Sequence, residues 1–170
     1  LEFLKNSVPN INESPEIFSF LQHYANMGYG TIFLFLLIGT VLTVIIQSSS
    51  ATMALTFVMC NQGWIPFEAA VAMVMGENIG TTITANIAAS VGNLSAKRTA
   101  LVHFLFNALG VTWLLILFYP FINLVDSIIT DQNGISPLSK DGIVMIPMAL
   151  ALFHTLFNIT NSVIWIGFTP

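Results

Sequence analysis

Four polar residues stand side by side in the serine tract, Gln47–Ser50 (sequence QSSS), with apolar sequence on both sides. The apolar segment from Ala51 to Cys60 follows directly and predicts a helix that begins at the tract. At a helix start, free backbone N–H groups and the positive end of the helix dipole favour an anion, and hydroxyl groups add further donors. Hydroxyl and carbonyl oxygens also bind hard cations, a class that includes sodium. The tract therefore predicts a binding site for a small ion of either sign.

A second polar group lies in the segment Gly76–Gly80 (sequence GENIG) and is followed by Thr81 and Thr82. Two glycines bracket a carboxyl and an amide group, which predicts a break between two half-helices. In secondary transporters, discontinuous helices of this kind build ion sites near the bilayer midplane. We expect Asn78, Thr81 and Thr82 to face the serine tract and to complete the site.

The two acidic residues of this span have different predicted roles. A carboxyl at membrane depth is a functional candidate by default, and Glu77 sits at the predicted break. It can bind a cation, carry a proton or cap the following half-helix, and the sequence leaves these alternatives open. Glu68 lies nearer the end of the span, where we expect it to reach the membrane interface.

His103 and His154 each precede an asparagine by four residues, Asn107 and Asn158, so each pair shares one helix face. Neither histidine has a Cys, an Asp or a second His at ligand spacing on its own span. We therefore predict packing and hydrogen bonding between helices for these four residues, and no metal site. Cys60, the single cysteine, is interpreted as a packing residue.

Three other interpretations of the tract compete with ion binding. Isolated serines in membrane helices commonly allow close packing or bond back to a carbonyl, but four polar residues in a row favour binding. An intramembrane hydrolase would use Ser49 or Ser50 as nucleophile and His103 or His154 as base, yet no Gly-x-Ser-x-Gly elbow surrounds the serines. A structural membrane subunit would explain the apolar spans but not two polar interruptions.

The elements that carry these residues are membrane helices by composition. Hydrophobic residues make up 55% of the chain and charged residues 7%, against about 25% charged in soluble domains. No Asp, Glu, Lys or Arg occurs in residues 17–67, 99–125 or 142–170, and about 20 apolar residues cross a bilayer. The net charge of -4, with four Lys and Arg in total, argues against a nucleic-acid partner. We predict an all-α, polytopic membrane protein.

The first half of the chain is predicted to fold in three parts. Residues 1–28 form an external or interfacial segment. As one helix, the stretch from Tyr29 to Cys60 would measure about 48 Å against a core of about 30 Å. We therefore predict a re-entrant hairpin over 29–62 with the serine tract at its tip, followed by a broken transmembrane helix over 64–92.

Two further transmembrane helices are predicted over 98–120 and 143–169, with a polar loop at 121–142 between them. The positive-inside rule puts Lys97 and Arg98 on the cytoplasmic side, and the loop and the amino-terminal segment outside. We expect a multi-pass protein of the plasma or inner membrane. The chain has no initiator Met, and we expect it to be a piece of a longer protein.

These motifs resemble the type II sodium-phosphate cotransporter family, in its bacterial branch. The tract is similar to the family's Q-S-S-S signature, and the segment from Gly76 to Thr84 to its G-x-N-I-G-T-[ST]-x-T segment. Residues 100–107 are similar to its A-x-x-H-x-x-F-N stretch. The resemblance covers roughly residues 30–120. The three motifs occur in order and at fitting spacing, which makes their combination specific.

The resemblance implies one half of an inverted-repeat transporter, because family members carry two such repeats with the site between them. This chain contains one copy, most similar to the second, so the missing repeat is expected before Leu1. It would come from the same full-length chain or from a homo-oligomer.

The resemblance also implies sodium-driven symport of inorganic phosphate, with no cofactor beyond the transported ions. The implied substrate-binding residues are Gln47, Ser48, Ser49, Ser50, Asn78, Thr81 and Thr82. The cation-coupling candidates are Gln47, Ser50, Glu77, Asn78 and Thr82. Glu77 is a departure, since the animal members have a small uncharged residue there.

Overall fold

The structure, a computed structural model, describes residue 24 and residues 27–139 and 141–167. From residue 27 onward the described chain forms six α-helices and no strand. They are α1 (Tyr29–Ile46), α2 (Ser49–Asn61), α3 (Phe67–Ala89), α4 (Leu94–Ile116), α5 (Phe118–Asn133) and α6 (Ile146–Ile166), with a short 3-10 helix, Gly142–Met145, directly before α6. The predicted segment 1–28 lies almost wholly outside the described residues.

Three segments are long and apolar enough to cross a membrane: α1, α4 and the stretch Gly142–Ile166. Each presents large apolar side chains on its outer surface, such as Leu37, Leu105 and Ile159. A soluble domain would bury such residues, whereas lipid is as apolar as they are. The prediction of an all-α, polytopic membrane protein is confirmed.

Helix α3 is the centre of the bundle and packs against α1, α2, α4 and α6. Its first half is completely enclosed, with every residue from Ala69 to Met75 at 0% exposure. Most of these side chains are small, so neighbouring helices approach the α3 backbone closely. This helix carries one of the two polar motifs into the interior.

The predicted break in α3 is wrong, because the helix runs without interruption from Phe67 to Ala89. Its glycines serve close packing instead. A Cβ atom on Gly76 would lie 2.0 Å from the carbonyl oxygen of Leu36, and one on Gly80 would lie 2.6 Å from the Cβ of Thr43. Glycines four residues apart form one groove on a helix, and α1 lies in that groove.

These contacts also set the directions of the helices. Gly39 of α1 lies against Met73, and Thr43 lies against Gly80, so α1 and α3 run in the same direction. The carboxyl end of α1 is thus level with the turn of α3 that follows Gly80. Helix α2 returns the opposite way, since its Thr56 bonds Glu77, earlier on α3.

The predicted loop 121–142 is also wrong for most of its length, because α5 occupies it up to Asn133. The buried residues of α5 are spaced by four, three and four positions, which is the pattern of an amphipathic helix. They are Phe118, Ile122, Val125 and Ile129. Helix α4 begins earlier than predicted, with Asn93 as its N-cap, so Lys97 and Arg98 lie in its first turns. It ends at Ile116 instead of residue 120.

Candidate functional site

The serine tract forms the turn between α1 and α2, where the sequence predicts the tip of a hairpin. Gln47 caps α1 in the left-handed region, with φ 58° and ψ 25°, and its N–H donates to the Thr43 carbonyl at 2.8 Å. Ser48 is extended, with φ -150°, and is the N-cap of α2. A residue other than glycine with positive φ is uncommon, and such residues cluster at functional sites. Whether this hairpin is re-entrant in the membrane stays a prediction.

The side chains of the tract are largely free to meet a ligand. The Ser48 hydroxyl accepts from the Ala51 N–H at 3.3 Å and lies 3.2 Å from the Ser50 hydroxyl. Gln47 and Ser50 are exposed, and Ser49 is half-buried. Among the described residues, nothing hydrogen-bonds the side chains of Gln47 and Ser49. Unused donors thus stand at the positive end of α2, where an anion is favoured.

Thr81 and Thr82, two of the predicted site residues on α3, differ in their exposure. Gly80 lies against Thr43, four residues before Gln47, so Thr81 is about one turn short of the level of the serine tract. The Thr81 hydroxyl donates to the Glu77 carbonyl at 2.9 Å. Thr82 is fully buried and donates to the Ile79 carbonyl at 2.7 Å. Both hydroxyl oxygens keep lone pairs that can bind a cation. No hydrogen bond within the described chain joins either residue to the tract.

Asn78 lies a turn earlier on α3, and its amide nitrogen is buried without a hydrogen-bond partner among the described residues. A buried donor left unpaired costs about 1–3 kcal/mol. Native structures hold few such groups, and each calls for an explanation.

Glu77 is 1% exposed in the middle of α3. Its Oε1 lies 2.8 Å from the Thr56 hydroxyl of α2, whereas its Oε2 is buried with no partner among the described residues. The capping alternative is wrong, because no helix begins near Glu77. Glu68 is half-buried in the first turn of α3. Its predicted place at the membrane interface stays a prediction.

Two buried threonines of α2, which the sequence argument missed, connect the tract with Glu77. The Thr52 hydroxyl donates to the Ser48 carbonyl at 3.0 Å, and Thr56 lies 3.1 Å from the Thr52 carbonyl. Both side chains are completely buried. The signal was the spacing of four residues from Ser48 to Thr52 and again to Thr56, which puts all three on one helix face.

The histidines take no part in this arrangement. Asn107 donates to the His103 carbonyl at 3.1 Å, and Asn158 to the His154 carbonyl at 2.8 Å. These bonds lie within one helix, so the predicted bonds between helices are wrong for these pairs. In the described part of the chain, no histidine bonds a serine of the tract, and no group of three His, Cys, Asp or Glu residues can hold a metal. Cys60 is buried.

Asn161, which sequence analysis did not single out, joins α4 to α6. Its side-chain oxygen accepts from Trp113 at 3.1 Å and from Trp165 at 3.0 Å, and its nitrogen donates to the Phe106 carbonyl at 3.1 Å. Gly110 leaves room for this amide, since a Cβ there would lie 2.6 Å from its nitrogen. Three of the four hydrogen bonds that the Asn161 amide can make go to protein groups of α4 and α6, so it is a structural residue.

The fold and the site define a class: an all-helical membrane protein with a polar helix start and a buried carboxyl inside an apolar bundle. Within that class, the chain belongs to the Na+/Pi-cotransporter family, whose model matches residues 19–129. This match includes the serine tract, α3 and α4.

Several curated proteins are similar in sequence to this chain. The chain is 37% identical over 134 residues to the uncharacterized protein YqeW of Bacillus subtilis, covering 79% of this chain and 39% of that protein. It is 30% identical over 139 residues to the putative inorganic phosphate export protein YjbB of Salmonella typhimurium, covering 82% of this chain and 23% of YjbB. It is 39% identical over 95 residues to the human sodium-dependent phosphate transport protein 2C, covering 53% of this chain and 16% of that protein.

The chain therefore spans well under half the length of these curated relatives. No solved structure matches it.

Proposed function

We propose that this chain forms one half of a sodium-coupled symporter of inorganic phosphate. The observation that carries the proposal is the turn at the serine tract, where unused amide and hydroxyl donors stand at the junction of the apolar helices α1 and α2. Family membership supports phosphate and sodium as the ions. The ions themselves are the only non-protein groups that the proposal needs.

Phosphate is bound by donors and by the helix dipole. The hydroxyls of Ser48, Ser49 and Ser50 and the Gln47 amide donate to its oxygens, while α2 points its positive end at the charge. In the described residues the only Lys and Arg are Lys97 and Arg98, which are exposed at the start of α4. Bound sodium therefore supplies the remaining positive charge.

Sodium is bound by oxygen atoms on both sides of the turn. The cation-coupling candidates are Gln47, Ser50, Glu77, Asn78 and Thr82. Gln47 and Ser50 lie at the tract and Glu77 beside Thr56, about two turns into α2, so these two groups serve separate ions. Hard cations prefer such carbonyl, hydroxyl and carboxylate oxygens. A cation beside the phosphate lowers the repulsion between phosphate and nearby acceptors, which couples the binding of the two ions.

A second repeat completes the site, either within the same full-length chain or from a second copy. The exposure of Gln47 and Ser50 and the short span relative to YqeW support this arrangement. Transport then proceeds by alternating access, in which one repeat moves against the other around the bound ions. The full-length protein would be a multi-pass protein of the plasma or inner membrane.

The test is a flux assay with radiolabelled phosphate in liposomes that contain the full-length parent protein. An inward sodium gradient is expected to drive uptake above that seen with an equal potassium gradient. Loading phosphate inside and reversing the gradient gives the direction of net movement, which matters because YjbB is named as a putative exporter. Phosphate flux that ignores the sodium gradient would refute the coupling, and no flux at all would refute the function.

A further inference from the structure

Glu77 is placed where an ionised carboxylate would be poorly stabilised. It is 1% exposed, and one of its two oxygens has no partner among the described residues. A charge buried without a counter-charge is strongly unfavourable. The carboxyl group must therefore be neutral or hold a cation.

The bond to Thr56 indicates which oxygen carries the proton. Thr56 has a single hydroxyl hydrogen but two acceptors within reach, the Thr52 carbonyl at 3.1 Å and Glu77 Oε1 at 2.8 Å. A protonated Glu77 resolves this competition, because its O–H donates to Thr56 and Thr56 donates to Thr52. With Glu77 ionised, one hydrogen would have to serve both acceptors.

The helices around α3 offer Glu77 no fixed counter-ion. The titratable or charged groups on them are Tyr29 on α1, Cys60 on α2, Lys97, Arg98 and His103 on α4, and His154 on α6. Within the described residues, no hydrogen bond or ion pair joins any of these groups to Glu77. A mobile ion is the partner that can balance its charge.

We propose that Glu77 holds a proton in this state and exchanges it for a sodium ion, an inference that rests on the proposed function. In this step the O–H bond of the neutral carboxyl breaks, the proton leaves to solvent, and the sodium ion binds the carboxylate oxygens. One monovalent cation replaces another, so the net charge of the buried site does not change. Because the net charge is unchanged, the exchange creates no isolated charge inside the membrane, where such a charge is unfavourable.

The infrared carbonyl stretch of a protonated carboxyl group tests the proposal directly. The sample is the full-length parent protein in liposomes at neutral pH, first without sodium and then with it. The band of Glu77 is expected in the sodium-free sample, and it disappears when sodium replaces potassium. It is absent from Glu77→Gln, whose amide keeps the shape of the side chain and can donate to Thr56.

Glu68→Gln is the matched control, because it makes the same change on the same helix at a half-buried position. It should keep the sodium-sensitive band. A band that persists in Glu77→Gln, a spectrum with no such band, or a band that ignores sodium would overturn the proposal.

Thr56→Val gives a second measurement that does not depend on transport. Valine keeps the shape of threonine and removes the hydroxyl that Glu77 contacts. The Glu77 carboxyl then loses its partner, and its band is expected to move to higher wavenumber. An unmoved band would show that Glu77 does not donate to Thr56 and would overturn the assignment.

Measurements of phosphate uptake distinguish a failure of this inference from a failure of the proposed function. If protons and sodium exchange one for one at Glu77, lowering the pH by one unit raises the sodium concentration for half-maximal uptake by up to about tenfold. Glu77→Gln should abolish that dependence. A sodium-sensitive band in a protein without phosphate flux refutes the proposed function and keeps the exchange site, whereas flux without the band does the reverse.

Discussion

The serine tract and the middle of α3 are the two polar interruptions of this apolar chain, and they are built in opposite ways. At the tract the backbone leaves helical geometry, and the side chains of Gln47 and Ser50 stay exposed. In α3 the backbone stays helical, while Glu77 and Thr82 are buried. Polar residues in an apolar run therefore mark either a turn or a packed helix, and the presence of glycine does not distinguish the two.

The largest expected effect is that of a substitution at the packed contact between α1 and α3. Gly76→Ala puts a methyl group 2.0 Å from the Leu36 carbonyl oxygen, a backbone atom that cannot turn away. We expect α1 to be forced from α3 and the free energy of unfolding to fall by about 3 kcal/mol. Chemical unfolding of the full-length parent in detergent micelles measures this change.

Gly167→Ala is the control, since the nearest atom there is 4.0 Å from the added methyl group. It should unfold like the unchanged protein. Equal stability of Gly76→Ala and the control would mean that α1 does not lie in the glycine groove.

At the serine tract, Ser49→Ala should weaken phosphate binding and leave the free energy of unfolding nearly unaltered. The Ser49 hydroxyl has no partner among the described residues, so its loss removes a donor meant for the ligand. A hydrogen bond to a charged group contributes about 1.5–3 kcal/mol, which corresponds to about 10- to 150-fold in apparent phosphate affinity. Radiolabelled phosphate uptake by the full-length parent measures it.

The matched control is Ser95→Ala, an exposed serine at the start of α4. Unchanged uptake is expected for it. If Ser49→Ala also transported normally, the tract would be a packing feature.

Gln47→Gly separates the backbone role of Gln47, which caps α1 with a positive φ, from the proposed role of its side-chain amide in binding phosphate. Glycine adopts positive φ without steric cost, so the free energy of unfolding should rise by about 1 kcal/mol. The amide is lost at the same time, and phosphate uptake should fall. Thermal unfolding and uptake, measured on the same preparation, are expected to change in opposite directions. A decrease in both would show that the left-handed conformation of Gln47 carries no strain.

The smallest expected effect is that of Thr52→Val, which removes a buried hydroxyl that donates to the Ser48 carbonyl at 3.0 Å. That carbonyl also accepts the Thr52 N–H at 3.0 Å, so it is not left unpaired. We expect a loss of about 1 kcal/mol in unfolding free energy and little change in uptake. A large loss of uptake would place Thr52 among the residues that shape the site.

The sequence predicted the turn at Gln47 and Ser48 because one helix from Tyr29 to Cys60 would be longer than the core of a bilayer is thick, and the polar tract lies inside that stretch. It did not predict the straight path of α3, since Gly76 and Gly80 have the same spacing in a break as in a packing groove. Only the position of α1 decides between these, and that is a tertiary property.

Helix α5 was missed for a related reason. Asp126 and Asp131 made its segment look like a polar loop, although its buried residues follow a helical period. Asp126 in fact orders the chain that follows, because its carboxylate accepts the Ser136 hydroxyl at 2.5 Å. Thr56 was overlooked because its spacing from Ser48 and Thr52 shows only that the three residues share a helix face. Its contact with Glu77 depends on how α2 packs against α3.

The close contact between α1 and α3 has a mechanical consequence. With the Leu36 carbonyl seated over Gly76 and Thr43 over Gly80, there is no gap along which one helix can slide past the other. The two helices are tightly packed against each other, and the serine tract follows directly at the end of α1. If the proposed alternating access occurs, we expect the displacement of the tract to carry both helices together and to bend the chain at a connection beyond them, such as residues 90–93.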